Sequence, residues 1–219
     1  MKNYKLLTAF AVYFVTILLI SNIVSTKIVN RGGFVRDGGT LLFPLSYIIG
    51  DVLTEVYGYA TSRRVIRMWV WAQLLMWLTV MRIWWMPADV SRTAQDAYMQ
   101  ILWFTPRIIA ASLIAYFVWE FINSYILAKL KIWTNGSKLW MRTIWSTIIW
   151  QAFDTVLFIM IAFYGVFDTQ TIIALMVSNY ILKVGIEILF TPLTYRVIGK
   201  MKKIESEDYY DTKTNFRPW

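Results

Sequence analysis

Long apolar runs separated by short polar segments set the pattern of this chain. A helix of about 20 residues rises about 30 Å, the thickness of a bilayer's hydrocarbon core, and six runs approach or exceed that length. They predict helices near residues 5–27, 41–60, 64–86, 101–128, 143–164 and 169–198. Between them lie turn signals. Asn30-Arg31-Gly32-Gly33 and Asp37-Gly38-Gly39 predict a turn-rich loop, Pro87 opens the longest connection, Asn135-Gly136 turns a basic link, and Gly165–Asp168 is a very short turn. Pro44 suits the first turn of the second helix.

Polar residues inside these runs recur at helical spacing. Asp51 and Glu55 stand one turn apart near the middle of Leu41–Ala60, and the fourth run holds Glu120, Asn123 and Ser124. The fifth run holds Gln151, Asp154 and Thr155, and the sixth carries Asn179, Lys183 and Glu187 at i, i+4 and i+8. A carboxylate at the bilayer centre costs about 2.5–3.5 kcal/mol on insertion scales, so each stripe is expected to face a polar interior. Any single stripe could serve as a structural contact between helices. Asp51, Glu55, Glu120, Asp154 and Glu187 against one membrane base, Lys183, exceed that need, because small residues and hydroxyls join helices at lower cost. The pattern predicts that Asp51, Glu55, Glu120, Asn123, Gln151, Asp154, Asn179, Lys183 and Glu187 converge on one interior cavity, the wall of a solute pathway.

Composition agrees with an integral membrane protein: 58% of the 219 residues are hydrophobic, 17% aromatic and only 16% charged, with a mean hydropathy of +0.51. It divides into one transmembrane domain, residues 1–203, and a tail, residues 204–219, whose mixed charges and aromatics place it outside the bilayer, packed on the cytoplasmic face. Lys2 and Lys5 precede an apolar run too long for a signal peptide, which reads as an uncleaved first helix. Cysteine and histidine are both absent, which excludes disulfides, a Cys/His zinc site and a histidine proton relay, and leaves little for a catalytic nucleophile and base. No metal or cofactor is expected. The net charge of +9 comes from bases at the ends of apolar runs, a topology signal and not a nucleic-acid surface. With six spans, Lys2, Lys5, Arg63, Arg64, Arg67, Lys129, Lys131, Lys138, Arg142, Arg196, Lys200, Lys202, Lys203, Lys213 and Arg217 fall on the side of the termini and only Lys27, Arg31, Arg36, Arg82, Arg92 and Arg107 on the other, so the positive-inside rule makes the termini cytoplasmic.

Five segments carry a resemblance: SYIIGDVLTEVYGY followed by Arg63-Arg64, EFINSYILAKLK, QAFDT, NYILKVGIEILFTPLTYRVI and the tail TNFRPW. Together they resemble the bacterial queuosine precursor transporter family, of the vitamin-uptake type, over essentially the whole chain. The resemblance implies an all-α fold of six transmembrane helices in the bacterial plasma (inner) membrane. It also implies import of a 7-deazaguanine, such as 7-cyano-7-deazaguanine, salvaged for the queuosine of tRNA. Two modes follow: a transporter acting alone or as a homo-oligomer, or the substrate-binding subunit of an energy-coupling-factor-type uptake system. The bilayer and a small-molecule substrate are then the partners, and nucleic acid is not one.

That substrate class gives the stripes a chemistry. A deazaguanine presents two adjacent donors and a carbonyl, so a carboxylate can receive the donor edge while Lys, Asn or Gln meets the carbonyl. Glu120 or Asp154 is expected to take the donor edge, Lys183 to balance charge or meet the carbonyl, and Gln151 and Asn179 to complete the hydrogen bonds. Asp51 and Glu55 are the candidate protonation switch, because neighbouring carboxylates resist joint ionisation. Tyr47, Tyr57, Phe121, Phe153 and Tyr180 adjoin these positions as stacking candidates. Trp119, Trp145 and Trp150 depart from the family pattern by standing where it carries glycine, among 12 tryptophans in all. Reading UGA as tryptophan, in a lineage that decodes it as glycine, accounts for that departure.

Overall fold

The structure is a computed structural model, and it describes residues 4–32, 34–87, 89, 95–136, 139–212 and 214–216. The side chains of Trp119, Glu120, Trp145 and Trp150 lie outside the described residues. Six long helices carry the fold: α1 (Leu7–Val24), α2 (Phe43–Tyr57), α3 (Tyr59–Trp84), α4 (Gln95–Trp133), α5 (Leu139–Phe163) and α6 (Thr169–Glu205). The all-α architecture carries one short addition among the described residues. The glycine-rich loop after α1 pairs as an antiparallel hairpin, β1 (Ile28–Arg31) with β2 (Phe34–Asp37), followed by a 3-10 turn over Gly38–Leu41.

Apolar surface turned outward is what a bilayer requires, and Tyr13, Trp71, Leu75, Trp85 and Leu189 are all strongly exposed. Among the described residues, three helical stretches are long and apolar enough to cross a membrane: Leu7–Val24, Gln95–Ala115 and Thr169–Glu205. Helix α4 runs through Pro106 without ending, and begins earlier than its apolar run because Gln95 to Gln100 continue the helix.

Helix α2 is the centre. Every residue from Phe43 to Tyr57 except Leu45 and Ile49 is buried, and the helix packs against α1, α3, α4 and α6. It ends at Gly58, whose φ of 81° closes α2 and opens α3 within a single residue. That conformation is accessible to glycine at no steric cost and explains why the break falls earlier than the expected 60–64 boundary. One apolar core joins α1, α2 and α3 through Phe14, Leu18, Val52, Leu53, Val56, Ile66 and Trp69. A second joins α4, α5 and α6 through Ile108, Ala111, Phe158, Ile159, Ile172 and Leu175. The polar side chains lie where α2 meets α4, α5 and α6.

Candidate functional site

Along α2, Tyr47, Asp51 and Glu55 recur every four residues on one face, and all three are buried. Each meets a different neighbour. The polar seam therefore divides into groups spaced about 6 Å apart along the helix axis.

The group at Tyr47 holds the charged pair. Lys183 on α6 donates to Asp154 Oδ2 on α5 at 2.8 Å, both side chains almost wholly buried. The ammonium also lies 5.0 Å from the centre of the Phe43 ring, a cation–π contact that adds to its stabilisation. Phe43 and Tyr47 run nearly parallel, 6.4 Å between centroids at 17°, so α2 sets two aromatic rings beside the pair, Phe43 by its face and Tyr47 by its hydroxyl. The Tyr47 hydroxyl donates to Gln151 Oε1 at 3.5 Å. Gln151 Nε2 is buried with no partner, a donor whose desolvation costs about 1–3 kcal/mol unless something else accepts from it.

Toward the hairpin, Asp37 ties β2 to α6. Its carboxylate accepts from Ser25 Oγ at 2.7 Å, from the Thr40 amide at 3.2 Å and from Asn179 Nδ2 at 2.9 Å. The Thr40 hydroxyl lies 2.7 Å from Asp37 Oδ2 and 2.9 Å from Asn179 Oδ1. This cluster is fully satisfied, the condition under which buried polar networks hold a structure rigid.

In the other direction, Asn123 Nδ2 donates to Asp51 Oδ1 at 3.5 Å, and the hydroxyls of Thr54, Ser62 and Ser124 form a ring at 3.1–3.2 Å that joins α2, α3 and α4. One turn further, Glu55 meets two ammonium groups, Lys202 at 3.0 Å and Lys131 at 3.5 Å. Lys131 also donates to the carbonyls of Glu55 at 2.7 Å and Tyr209 at 2.8 Å. Asp208 bridges Lys131 at 2.5 Å and Lys202 at 2.9 Å. Burial opposes ionisation of Asp208, but hydrogen bonds from Lys131 and Lys202 outweigh it and hold the carboxyl below its ordinary range.

The eight described side chains of the expected site are all buried, and their hydrogen bonds and ion pairs sort them into groups. Gln151, Asp154 and Lys183 form one group, Asn179 belongs with Asp37 and Thr40, Asp51 with Asn123, and Glu55 with Lys131, Lys202 and Asp208. Glu187 is buried one turn beyond Lys183. Asp51 and Glu55, the expected protonation switch, have different partners, the Asn123 amide on the first and two ammonium groups on the second. Of the stacking candidates, Tyr47 stands at the pair, Tyr57 bonds Glu205, Tyr180 bonds the carbonyl of Ile148, Phe121 packs on Phe117, and Phe153 faces outward. Sequence reasoning missed Phe43, Asp37, Lys131, Lys202 and Asp208. Phe43 has the only local signal, its i, i+4 spacing to Tyr47.

Comparison with known proteins places this arrangement. Residues 37–197 match the family described as "Putative vitamin uptake transporter". That range holds Asp37 and the seam as far as Glu55, but neither Lys202 nor the tail. A protein of Bacillus subtilis (strain 168) named "Probable queuosine precursor transporter" is 29% identical over 181 residues, 80% of this chain and 77% of its own length. The protein named "Queuosine precursor transporter" in Escherichia coli (strain K12) is 24% identical over 203 residues, 91% of this chain and 89% of its own. No solved structure matches. The family match, the outward apolar surface and the buried polar seam give one conclusion: the chain belongs to the vitamin uptake transporter family and is a multi-pass membrane transporter, not an enzyme.

Proposed function

We propose that the chain imports a queuosine precursor, 7-cyano-7-deazaguanine or a related 7-deazaguanine, across the bacterial inner membrane. In this reading the six helices cross the bilayer with both termini cytoplasmic, residues 1–203 form the transport domain and residues 204–219 the cytoplasmic tail. The names of the two relatives support the substrate class. The observation that carries the reading to a place in the fold is the partnerless Nε2 of Gln151 beside the Lys183–Asp154 pair and the Phe43 and Tyr47 rings. Asp154 takes the two donors of the base edge, Lys183 or Gln151 Nε2 meets its carbonyl, and the plane of the base stacks on the aromatic faces. Glu120, on the neighbouring α4, is the second candidate for the donor edge. Proton coupling, if it drives uptake, runs through the membrane carboxylates, since histidine is absent.

The test is queuosine content of tRNA in cells that cannot synthesise the precursor and depend on this chain for it. Asp154→Asn, Glu120→Gln and Gln151→Ala are compared at equal membrane levels. Losing a hydrogen bond to a charged group costs about 1.5–3 kcal/mol, so Asp154→Asn should raise the concentration needed for uptake at least tenfold. Normal uptake by both carboxylate variants overturns the site. A reporter fused after the tail and active only outside the cytoplasm overturns the topology.

A further inference from the structure

Helix α6 presents two opposite stripes. The inner one, Lys183, Glu187, Thr191, Thr194, Ile198 and Met201, is buried. The outer one runs through Gly185, Leu189, Leu193, Arg196, Lys200 and Lys203 at steps of three or four residues, and every member is exposed. Apolar side chains fill its first half, with Leu189 73% exposed, and bases fill its second. Around those bases lies a groove of about 410 Å³ lined by Leu193, Arg196, Val197, Gly199, Lys200 and Lys203, with no carboxylate in its wall. Gly199 leaves its floor open, because a Cβ there would meet nothing within 4 Å.

These three bases differ from their neighbours. Lys202, one residue away, faces inward and is bound to Glu55 and Asp208. Arg196, Lys200 and Lys203 make no ion pair or hydrogen bond among the described residues. An uncompensated basic groove that continues a lipid-facing apolar stripe has the chemistry of a two-part ligand, anionic at one end and aliphatic along the rest.

We infer that the outer face of α6 is a binding site for an anionic phospholipid. The headgroup phosphate sits in the groove, held by the Arg196 guanidinium and the Lys200 and Lys203 ammonium groups, and an acyl chain lies along Leu189 and Leu193. The inference requires that the chain sit in a bilayer and is independent of which solute it carries. Bound there, the lipid anchors the same helix that carries Lys183 on its opposite face.

Native mass spectrometry of the purified protein, with cardiolipin, phosphatidylglycerol or phosphatidylcholine added, tests it. The variant Arg196→Gln/Lys200→Gln is compared with Arg64→Gln/Arg82→Gln, which removes the same charge from two exposed positions on α3. A juxtamembrane base contributes about fivefold in anionic-lipid affinity, so the α6 variant should bind the anionic lipids on the order of thirtyfold more weakly, with the α3 variant close to wild type. Equal retention of phosphatidylcholine overturns the inference, as does binding by the α6 variant within threefold of the α3 variant. Displacement of the lipid by excess inorganic phosphate alone also overturns it, because the groove is then a site for the free anion.

Discussion

Replacing Lys131 by methionine should release the tail from the helical bundle. The lysine is 3% exposed and so is Glu55, and removing one partner of a buried pair costs about 3–5 kcal/mol because the other charge stays buried. Lys202 keeps an ammonium 3.0 Å from Glu55. The tail itself loses the Lys131 hydrogen bonds to the Tyr209 carbonyl and Asp208, about 1.5–3 kcal/mol for each bond of a charged donor. With Asp208 half-exposed, the cost to docking is about 3 kcal/mol. At 1.4 kcal/mol per factor of ten, the undocked fraction of residues 206–216 rises about a hundredfold. Asp208→Asn provides the contrast. That carboxylate is 44% exposed, and exposed pairs contribute about 0.2–1 kcal/mol each, so the two it makes predict a rise of about fivefold. Hydrogen–deuterium exchange in lipid nanodiscs reads both, on the peptide spanning 206–216 and on the α2–α3 junction, where the Tyr209 amide donates to the carbonyl of Val56. An exchange rate for the Lys131 variant within threefold of wild type, or smaller than that of the Asp208 variant, refutes the reasoning.

Three further outcomes follow. Asp208 has a lowered pKa, so its contribution to docking is present above the ordinary carboxylate value of about 3.9 and lost as pH falls through the lowered one; exchange of 206–216 should be flat from pH 7 to about 5 after correction for intrinsic rates, and should rise only below about 4. Gly58→Ala sets a Cβ against the Tyr209 ring at a φ of 81°, and should loosen the tail by at least about 1 kcal/mol, seen as faster exchange of the Tyr209 amide. The coding DNA should read UGA at 119, 145 and 150, and UGG at those positions disproves the decoding account of Trp119, Trp145 and Trp150.

The helices were legible because apolar runs of membrane length have few other uses, and the polar stripes because burying charge in that setting is costly. Asp154 and Lys183 stood out on those grounds. Their pairing did not, since Glu187 at i+4 offered Lys183 a partner on its own helix and only the packing of α5 on α6 brings Asp154 within 2.8 Å. In the sequence Lys131 and Lys202 are topology signals. A count of bases by side carries no information about which of them fold inward onto a carboxylate such as Glu55. Asp37 looked like part of a turn, because its partner Asn179 is 142 residues away. Long-range pairing of this kind leaves no local periodicity to detect.

The helix ends beside the tail carry one more implication. The residue before α1, Leu6, has no capping side chain of its own, and Glu205 supplies the missing acceptor to the amides of Lys5 and Leu6 at 2.9 and 2.7 Å. Asp211 does the same for α3, whose cap position is a glycine, by accepting from the Tyr59 amide at 2.9 Å. At about 5–20 residues per second, a ribosome needs on the order of 10–40 s to travel from one partner to the other across 200 residues. Both helices thus leave the ribosome well before the residues that secure their ends. Until Glu205 and Asp211 are made, the nascent bundle stays unfastened on that face, and fastening it requires every segment between the partners to have been made.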